Sequence, residues 1–302
     1  MIDFVISVRD KEKWRIQQVV DYLKSDITEK IIIVDYGSKK QVKNIKGAEV
    51  VRPINSGTQW NKSHALNIGI KMCKSDYIAT TDCDMIIPKY FFEKIKDYLT
   101  GKDIFVYSTN VRRINTRKGS FKQKWNWSTR WWKKNNFYPI KSDGGIQLFS
   151  RKWIWKVKGY DENFTYWGGM DNDLHLRALF DHIPTIDLGV QLLHQEHKHD
   201  KEAHLDPKER DYAQKMRYVK KEYLNYKEEN RIIKNKGWGG EFPRIIIGPR
   251  EDIKLRKKQL IEQKKIESFI KTGKFNKTSL EKKLKKLTKN KNIKVIWPKK
   301  KY

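Results

Sequence analysis

Cysteine is nearly missing from this chain: its 302 residues include only two, Cys73 and Cys83. Two cysteines make neither a disulfide framework nor a thiolate zinc site, and a reducing compartment is the simplest setting. Also missing is any apolar run near the roughly 20 residues that a membrane-spanning helix needs. Met1 to Phe4 run straight into strand-like sequence, without the basic leader and apolar stretch of a signal peptide. The expectation is a cytoplasmic protein without an anchor, with peripheral attachment to a membrane as the alternative. Acidic residues are scarce relative to basic ones, 36 against 66, for a net charge of +30. Residues 201–302 carry +19 of that and residues 1–200 only +11. A basic surface attracts nucleic acid, anionic lipid, acidic glycans or nucleotide sugars. A merely solvated, lysine-rich surface is the plain alternative. Hydrophobic residues, at 38%, suffice for a core, whereas 34% charged residues exclude a chain that is core throughout.

What is present is an alternation of strand and helix signals over the first hundred residues. Asp3 to Val8 reads as a buried strand, and Lys11 to Lys24 places Trp14, Val19, Val20 and Leu23 at helical spacing. Lys30 to Asp35 is a second strand, closed by the turn signal Tyr36-Gly37-Ser38. Ala48 to Val51 is a short third, Ser63 to Met72 a helix, Tyr77 to Thr81 a fourth strand, and Lys89 to Leu99 a further helix. Such alternation predicts an α/β fold with a mostly parallel sheet flanked by helices. Ligands of these sheets bind beyond the carboxyl ends of the strands. Arg9, Asp35 and the pair Asp82/Asp84 all fall at such ends.

The middle of the chain is polar and aromatic, with Trp125, Trp127, Trp131 and Trp132, which suit either packing or sugar stacking. From Asp206 onward the composition reads as charged helices. Thr278 and Glu281 fit a capping box, and Leu280, Leu284 and Leu287 form a stripe at helical spacing. Two units follow: a catalytic domain over 1–204 and a basic, mainly helical extension over 205–302. The extension could dock on the domain, on a partner helix or on an anionic membrane surface.

Three segments carry chemistry. In Asp82-Cys83-Asp84, an extended backbone would turn both carboxylates one way and Cys83 the other. Two carboxylates at one point suit Mg²⁺ or Mn²⁺, cations that neutralise a leaving diphosphate. In Tyr166-Trp167-Gly168-Gly169-Met170-Asp171-Asn172-Asp173, glycines permit close approach of backbone to a ligand, and the acids after them mark a helix start. Asp171 is thus a candidate general base for an acceptor hydroxyl; an ordinary acidic helix start is the rival. In His194-Gln195-Glu196-His197-Lys198-His199, one histidine is a candidate metal ligand, whereas a zinc site made of all three is not favoured over a surface loop.

Taken in order, these pieces resemble a known family. Val5 to Asp10, Val34 to Ser38, Trp60 to Gly69 and Asp82 to Met85 look like the donor half of family 2 glycosyltransferases of the GT-A type. Gly144 to Ser150, Lys158 to Asp161 and Trp167 to Gly169 look like the acceptor half shared by β-1,4-galactosyltransferases and bacterial chondroitin polymerases. The resemblance spans roughly residues 3–200 and implies a GT-A fold and a UDP-sugar-dependent hexosyltransferase acting on a glycan or other hydroxyl acceptor. It further implies that Arg9 and Asp35 contact the uridine diphosphate, with Lys62 near it and Cys83 and Gly145 on the donor side. Asp82 would face the ribose or donor sugar, and Asp84 and His194 would bind Mn²⁺ (or Mg²⁺), with Asp82 a possible further ligand. Trp167, Gly168 and Gly169 would border the donor sugar, and Trp167 and Asn172 the acceptor. Asp171 would be the base of an inverting single displacement. Met170 and Asn172 depart from the acids usual in the family, at positions that bear on sugar specificity. Two rival functions stay open on the residues alone. One is a nucleic-acid-binding protein relying on the basic surface and tryptophans; the other is a metal-dependent nucleotidyltransferase.

Overall fold

The computed structural model describes residues 1–53, 60–114, 138–141, 145–164 and 169–195, together with 232–233, 235, 238–239, 244–246 and 294–296. The tryptophans at 125–132, Trp167, Gly168, His197, His199 and the leucine stripe at 280–287 lie outside these residues.

In chain order the strands are β1 (Ile2–Val8), β2 (Thr28–Asp35), β3 (Glu49–Val51), β4 (Tyr77–Asp82), β5 (Met85–Ile86), β6 (Phe105–Tyr107), β7 (Asn110–Ile114), β8 (Tyr138–Lys141), β9 (Ile146–Ser150), β10 (Thr185–Asp187) and β11 (Leu192–Gln195). The helices are α1 (Lys13–Leu23), α2 (Lys62–Ile70), α3 (Lys89–Ile95), α4 (Arg151–Lys156) and α5 (Met170–Phe180), with a 3₁₀ turn at Lys96–Tyr98. The main sheet has seven strands in the order β10-β6-β9-β4-β1-β2-β3. β1 pairs in parallel with β2 and β4, and β2 with β3, whereas β9 runs antiparallel to both β4 and β6. The sheet is therefore mixed and mostly parallel.

Every residue of β1 is buried, as expected of a strand covered on both faces. Its alternation sorts the core in two. Phe4, Ile6 and Val8 pack with Ile16, Val19, Val20 and Leu23 of α1 and with Phe91, Phe92 and Ile95 of α3. Val5 packs on the other face with Ala65, Leu66, Ile68 and Ile70 of α2, Trp153 and Ile154 of α4, and Leu174 and Ala178 of α5. Among the described residues no helix is long and apolar enough to cross a membrane.

A second, four-stranded sheet has the order β5-β11-β7-β8. The chain passes from the first sheet to the second through Cys83-Asp84, the turn between β4 and β5. β5 pairs antiparallel with β11, setting Met85 opposite His194. Distant parts of the sequence thereby meet at one turn.

The boundary expected at 204/205 does not end the packed unit. Trp238 is 7% exposed and belongs to the core of the α2 face, edge-on to Trp155 with ring centroids 5.2 Å apart. Asn235 donates to the carbonyls of Lys158 and Tyr160, both at 2.7 Å, and accepts from the Glu162 amide at 3.0 Å. Gly159 has φ +68°, and a Cβ there would lie 2.2 Å from Asn67 Oδ1 and 2.6 Å from Trp238 Cε3, so only glycine fits. Beyond this segment, Arg244–Ile246 pairs antiparallel with Lys294–Ile296. The described residues past 204 thus form a docked segment and a two-stranded ribbon; the stretches expected to be charged helices lie outside the described residues.

Trp238→Ala is expected to cost about 3 kcal/mol, as for a buried tryptophan truncated in a core. The readout is a lower urea midpoint at unchanged slope. An unchanged midpoint would show that 232–239 is not part of the core.

Candidate active site

The carboxylates of the Asp82-Cys83-Asp84 turn have separate partners. β4 ends at Asp82 and the chain turns at 83–84, so the extended backbone expected to aim both carboxylates together is not present. Asp82 Oδ1 receives the Lys62 ammonium at 2.6 Å. Asp84 is buried (8% side-chain exposure), with His194 Nε2 3.4 Å from Oδ1 and Lys11 Nζ 3.4 Å from Oδ2. The Asp84 carbonyl accepts from the Gln195 amide at 2.8 Å, and Arg15 of α1 reaches the Gln195 carbonyl at 3.3 Å. β11 is thus held to the turn and to α1 at Gln195, the residue after His194. Cys83 is 6% exposed and packs in the core of the α1 face. Burial pushes its thiol's pKa up. Its side chain therefore belongs to the core, on the side away from the two carboxylates as alternation predicts.

Lys62 opens α2, which is capped by Asn61 through the His64 amide at 2.9 Å. Its ammonium also lies 3.9 Å from Asp171 Oδ2. Burial alone would favour loss of its proton; Asp171 and Asp82 more than offset this, and its pKa is raised well above the ordinary lysine range. One buried cation therefore joins the turn after β4 to the start of α5.

Asp171 sits in the first turn of α5, where the aligned amides favour an anion. Gly169 precedes it at φ +84°, in the left-handed region where glycine carries no penalty. The other acid of that turn, Asp173, is 3% exposed and paired with Arg177 at 2.9 Å. Of the two, Asp171 is therefore the one aimed at the Lys62–Asp82 cluster. Asn172, beside it, is exposed.

Two further residues of the predicted site have structural partners. Asp35 is 0% exposed and accepts from the Ser38 and Val42 amides and from Arg52 Nη1, each at 3.0 Å. Its carboxylate helps to build the loop after β2. A Cβ at Gly145 would meet Leu192 Cδ1 at 2.9 Å and Val111 Cγ2 at 3.0 Å. That glycine lets the two sheets approach each other. Arg9 is 8% exposed, just beyond β1, and its positive charge acts on the Tyr36 hydroxyl, opposing the upward push of burial and Glu162.

Other residues of the region lie within the same motifs and carry no predicted role. Tyr36 Oη and His64 Nδ1 are 2.8 Å apart, with Trp60 edge-on to Tyr36 at 5.8 Å. Tyr160 and Gln147 form a buried chain toward Asp171. Their signal was only that each lies inside a recognised string, because a hydrogen bond between residues far apart leaves no local pattern.

A carboxylate–imidazole pair thus stands at the end of a mostly parallel sheet, with a separate acid in the first turn of α5. A profile of "Glycosyl transferase family 2" matches residues 5–156, and one of the "N-terminal domain of galactosyltransferase" matches residues 131–198. The chain belongs to glycosyl transferase family 2. It is 24% identical over 186 residues to a chondroitin synthase of Escherichia coli, a match covering 49% of this chain and 27% of that protein. It is 26% identical over 210 residues to a hyaluronan synthase of Pasteurella multocida, covering 55% and 21%. The chain thus spans about a quarter of the length of these relatives. Among solved structures, the mannosyltransferase PcManGT from Pyrobaculum calidifontis in complex with GDP-Man and Mn²⁺ is similar with a TM-score of 0.45 at 13% identity, over 67% of this chain and 59% of that one. Family membership supports the glycosyl-transfer reading.

Asp35→Ala strands the Arg52 guanidinium, 9% exposed, in the interior. The expected cost is about 3 kcal/mol of stability, typical of one partner removed from a buried pair. Urea unfolding checks it; wild-type stability would show that Arg52 finds water.

Proposed function

We propose that this chain moves a hexose or N-acetylhexosamine from a UDP-sugar to a hydroxyl of a glycan or similar acceptor, in one inverting displacement. The observation that carries this is the Lys62 bridge, 2.6 Å from Asp82 and 3.9 Å from Asp171. It sets a donor-side carboxylate and a candidate base around one charge, beside the Asp84–His194 pair. The choice of UDP as carrier rests on the motif resemblance.

A carboxylate oxygen and an imidazole nitrogen 3.4 Å apart are a donor set that suits Mn²⁺, and Mg²⁺ less well. The Lys11 ammonium at Asp84 Oδ2 indicates that this carboxylate already attracts positive charge. Among the described residues no group of three or more His, Cys, Asp or Glu gathers around a metal position. In this reading Asp84 and His194 hold the cation, and the donor's own diphosphate completes its shell. The bound cation would supply charge neutralisation of the leaving diphosphate. Asp171 accepts the proton of the acceptor hydroxyl as its oxygen bonds to the anomeric carbon and the bond from that carbon to the diphosphate oxygen breaks. Asp82 and Lys62 orient the donor, with Arg9 near it. Gly169, Trp167, Gly168 and Asn172 border the sugars. The basic region 205–302, apart from the docked segment, is proposed as a contact for an anionic membrane surface or partner.

With Mn²⁺ present, the chain is expected to bind UDP and to release UDP from at least one common UDP-sugar; calorimetry without any heat for UDP or UDP-sugars would sink the proposal. Asp84→Ala should remove the metal-dependent part of UDP binding. Asp171→Asn should keep UDP binding and lower turnover by about 10²–10⁴-fold, the range for general-base removal. A fully active Asp171→Asn protein would remove it as the base.

A further inference from the structure

We propose that Gln147 is a positioning residue for Asp171, acting at the end of a buried hydrogen-bond relay that begins at Thr80. The proposal rests on the reading of Asp171 as the base. Thr80 on β4, Tyr160 and Gln147 on β9 are 3%, 0% and 1% exposed. Tyr160 Oη lies 2.6 Å from Thr80 Oγ1 and 2.7 Å from Gln147 Oε1. Gln147 Nε2 donates to the Asp171 carbonyl at 3.0 Å.

The direction of the relay follows from the donor inventory. An amide oxygen only accepts, so the Tyr160 hydroxyl donates to Gln147, and Thr80 donates to Tyr160. Turning the Gln147 amide over would set its oxygen against the Asp171 carbonyl oxygen, leaving two buried acceptors facing each other. One orientation satisfies every group. The chain therefore runs Thr80 to Tyr160 to Gln147 to Asp171 without a break.

A purely structural demand does not call for a glutamine here. β9 is buried along its whole length, and an apolar side chain would suit such a strand. Carbonyls of a helix's first turn are served by amides four residues on, so the Gln147 bond is an added restraint and not a needed cap. Its effect is geometric. Thr80 stands two residues before Asp82 on the same strand. Asp82 holds Lys62, which faces the Asp171 carboxylate. β4 thereby holds Asp171 twice, at its backbone through Gln147 and at its side chain through Lys62. The candidate base is kept in register with the donor-side turn.

The test uses the full chain and two substitutions. Gln147→Met keeps the length and loses both links; Tyr160→Phe loses only the upstream link. Hydrogen exchange is followed in peptides covering 169–175, UDP affinity is measured with Mn²⁺, and UDP release is measured from a panel of UDP-sugars. For Gln147→Met, exchange at 169–175 is expected to accelerate about tenfold relative to the rest of the domain. UDP affinity should stay within about twofold, while turnover falls about tenfold to a hundredfold, as for a slightly misplaced catalytic group. Tyr160→Phe should move the same readouts in the same direction by less. Wild-type exchange at 169–175 in both variants overturns the proposal, and so does acceleration spread evenly over the domain. If Asp171→Asn remains fully active, the base reading fails while the exchange result still decides whether Gln147 holds the helix start. If Asp171→Asn is dead and Gln147→Met turns over at the wild-type rate, positioning alone fails.

Discussion

The Lys62 ammonium is the interaction on which the rest of the site depends. It is nearly buried, and an isolated charge in that place would be strongly disfavoured. It is tolerable because Asp82 and Asp171 approach it from two separate parts of the chain. The dependence is mutual: without the ammonium, those carboxylates would face each other with no intervening charge. The loop entering α2 belongs to the same constraint. Asn61 caps the helix and also donates to the Glu162 carbonyl at 2.8 Å. One turn of helix thus fixes the cation and the chain leading toward α5.

The same helix explains why the packed unit reaches past residue 204. Asn67, 0% exposed, exchanges hydrogen bonds with the backbone of Tyr160 and donates to Glu162 Oε1 at 2.8 Å. Glu162 in turn accepts from the Gly239 amide at 2.5 Å. Asn235 covers the same stretch, donating to the carbonyls of Lys158 and Tyr160. A buried polar cluster of this kind is stable only when its members are satisfied, and its last members come from the docked segment. The segment that carries Tyr160 is thereby held between α2 and 235–239. This is the stretch from which the chain goes on toward Gly169 and Asp171.

The architecture was legible because it is written locally. Buried parallel strands read as apolar runs, and β1, β2 and β4 end within a residue of their expected positions. The helices α1 and α2 announced themselves by spacing, and Asp171 by its place after glycines. Other features were not legible because they depend on distant partners. Asp35 stands at a strand end like Asp82, yet Arg52 and two loop amides hold its carboxylate. Cys83 is turned by alternation away from the two carboxylates, and it is buried in the core. The crowding at Gly145 comes from Leu192 and Val111, which lie far from it in sequence.

By itself, then, the amino-acid sequence determined the alternation of strands and helices, the sheet edge at which polar residues collect, and the residue types available there. Hydrophobic periodicity and turn chemistry act over a few residues, so a linear reading captures them. Only the tertiary structure decided which carboxylate meets which partner: Asp84 with His194, Asp82 with Lys62, Asp171 with both Lys62 and Gln147. Those pairings depend on a turn that crosses between two sheets and on strands brought side by side from distant segments. Electrostatic and hydrogen-bond partners are chosen by proximity in space, and that proximity exists only once the core has packed.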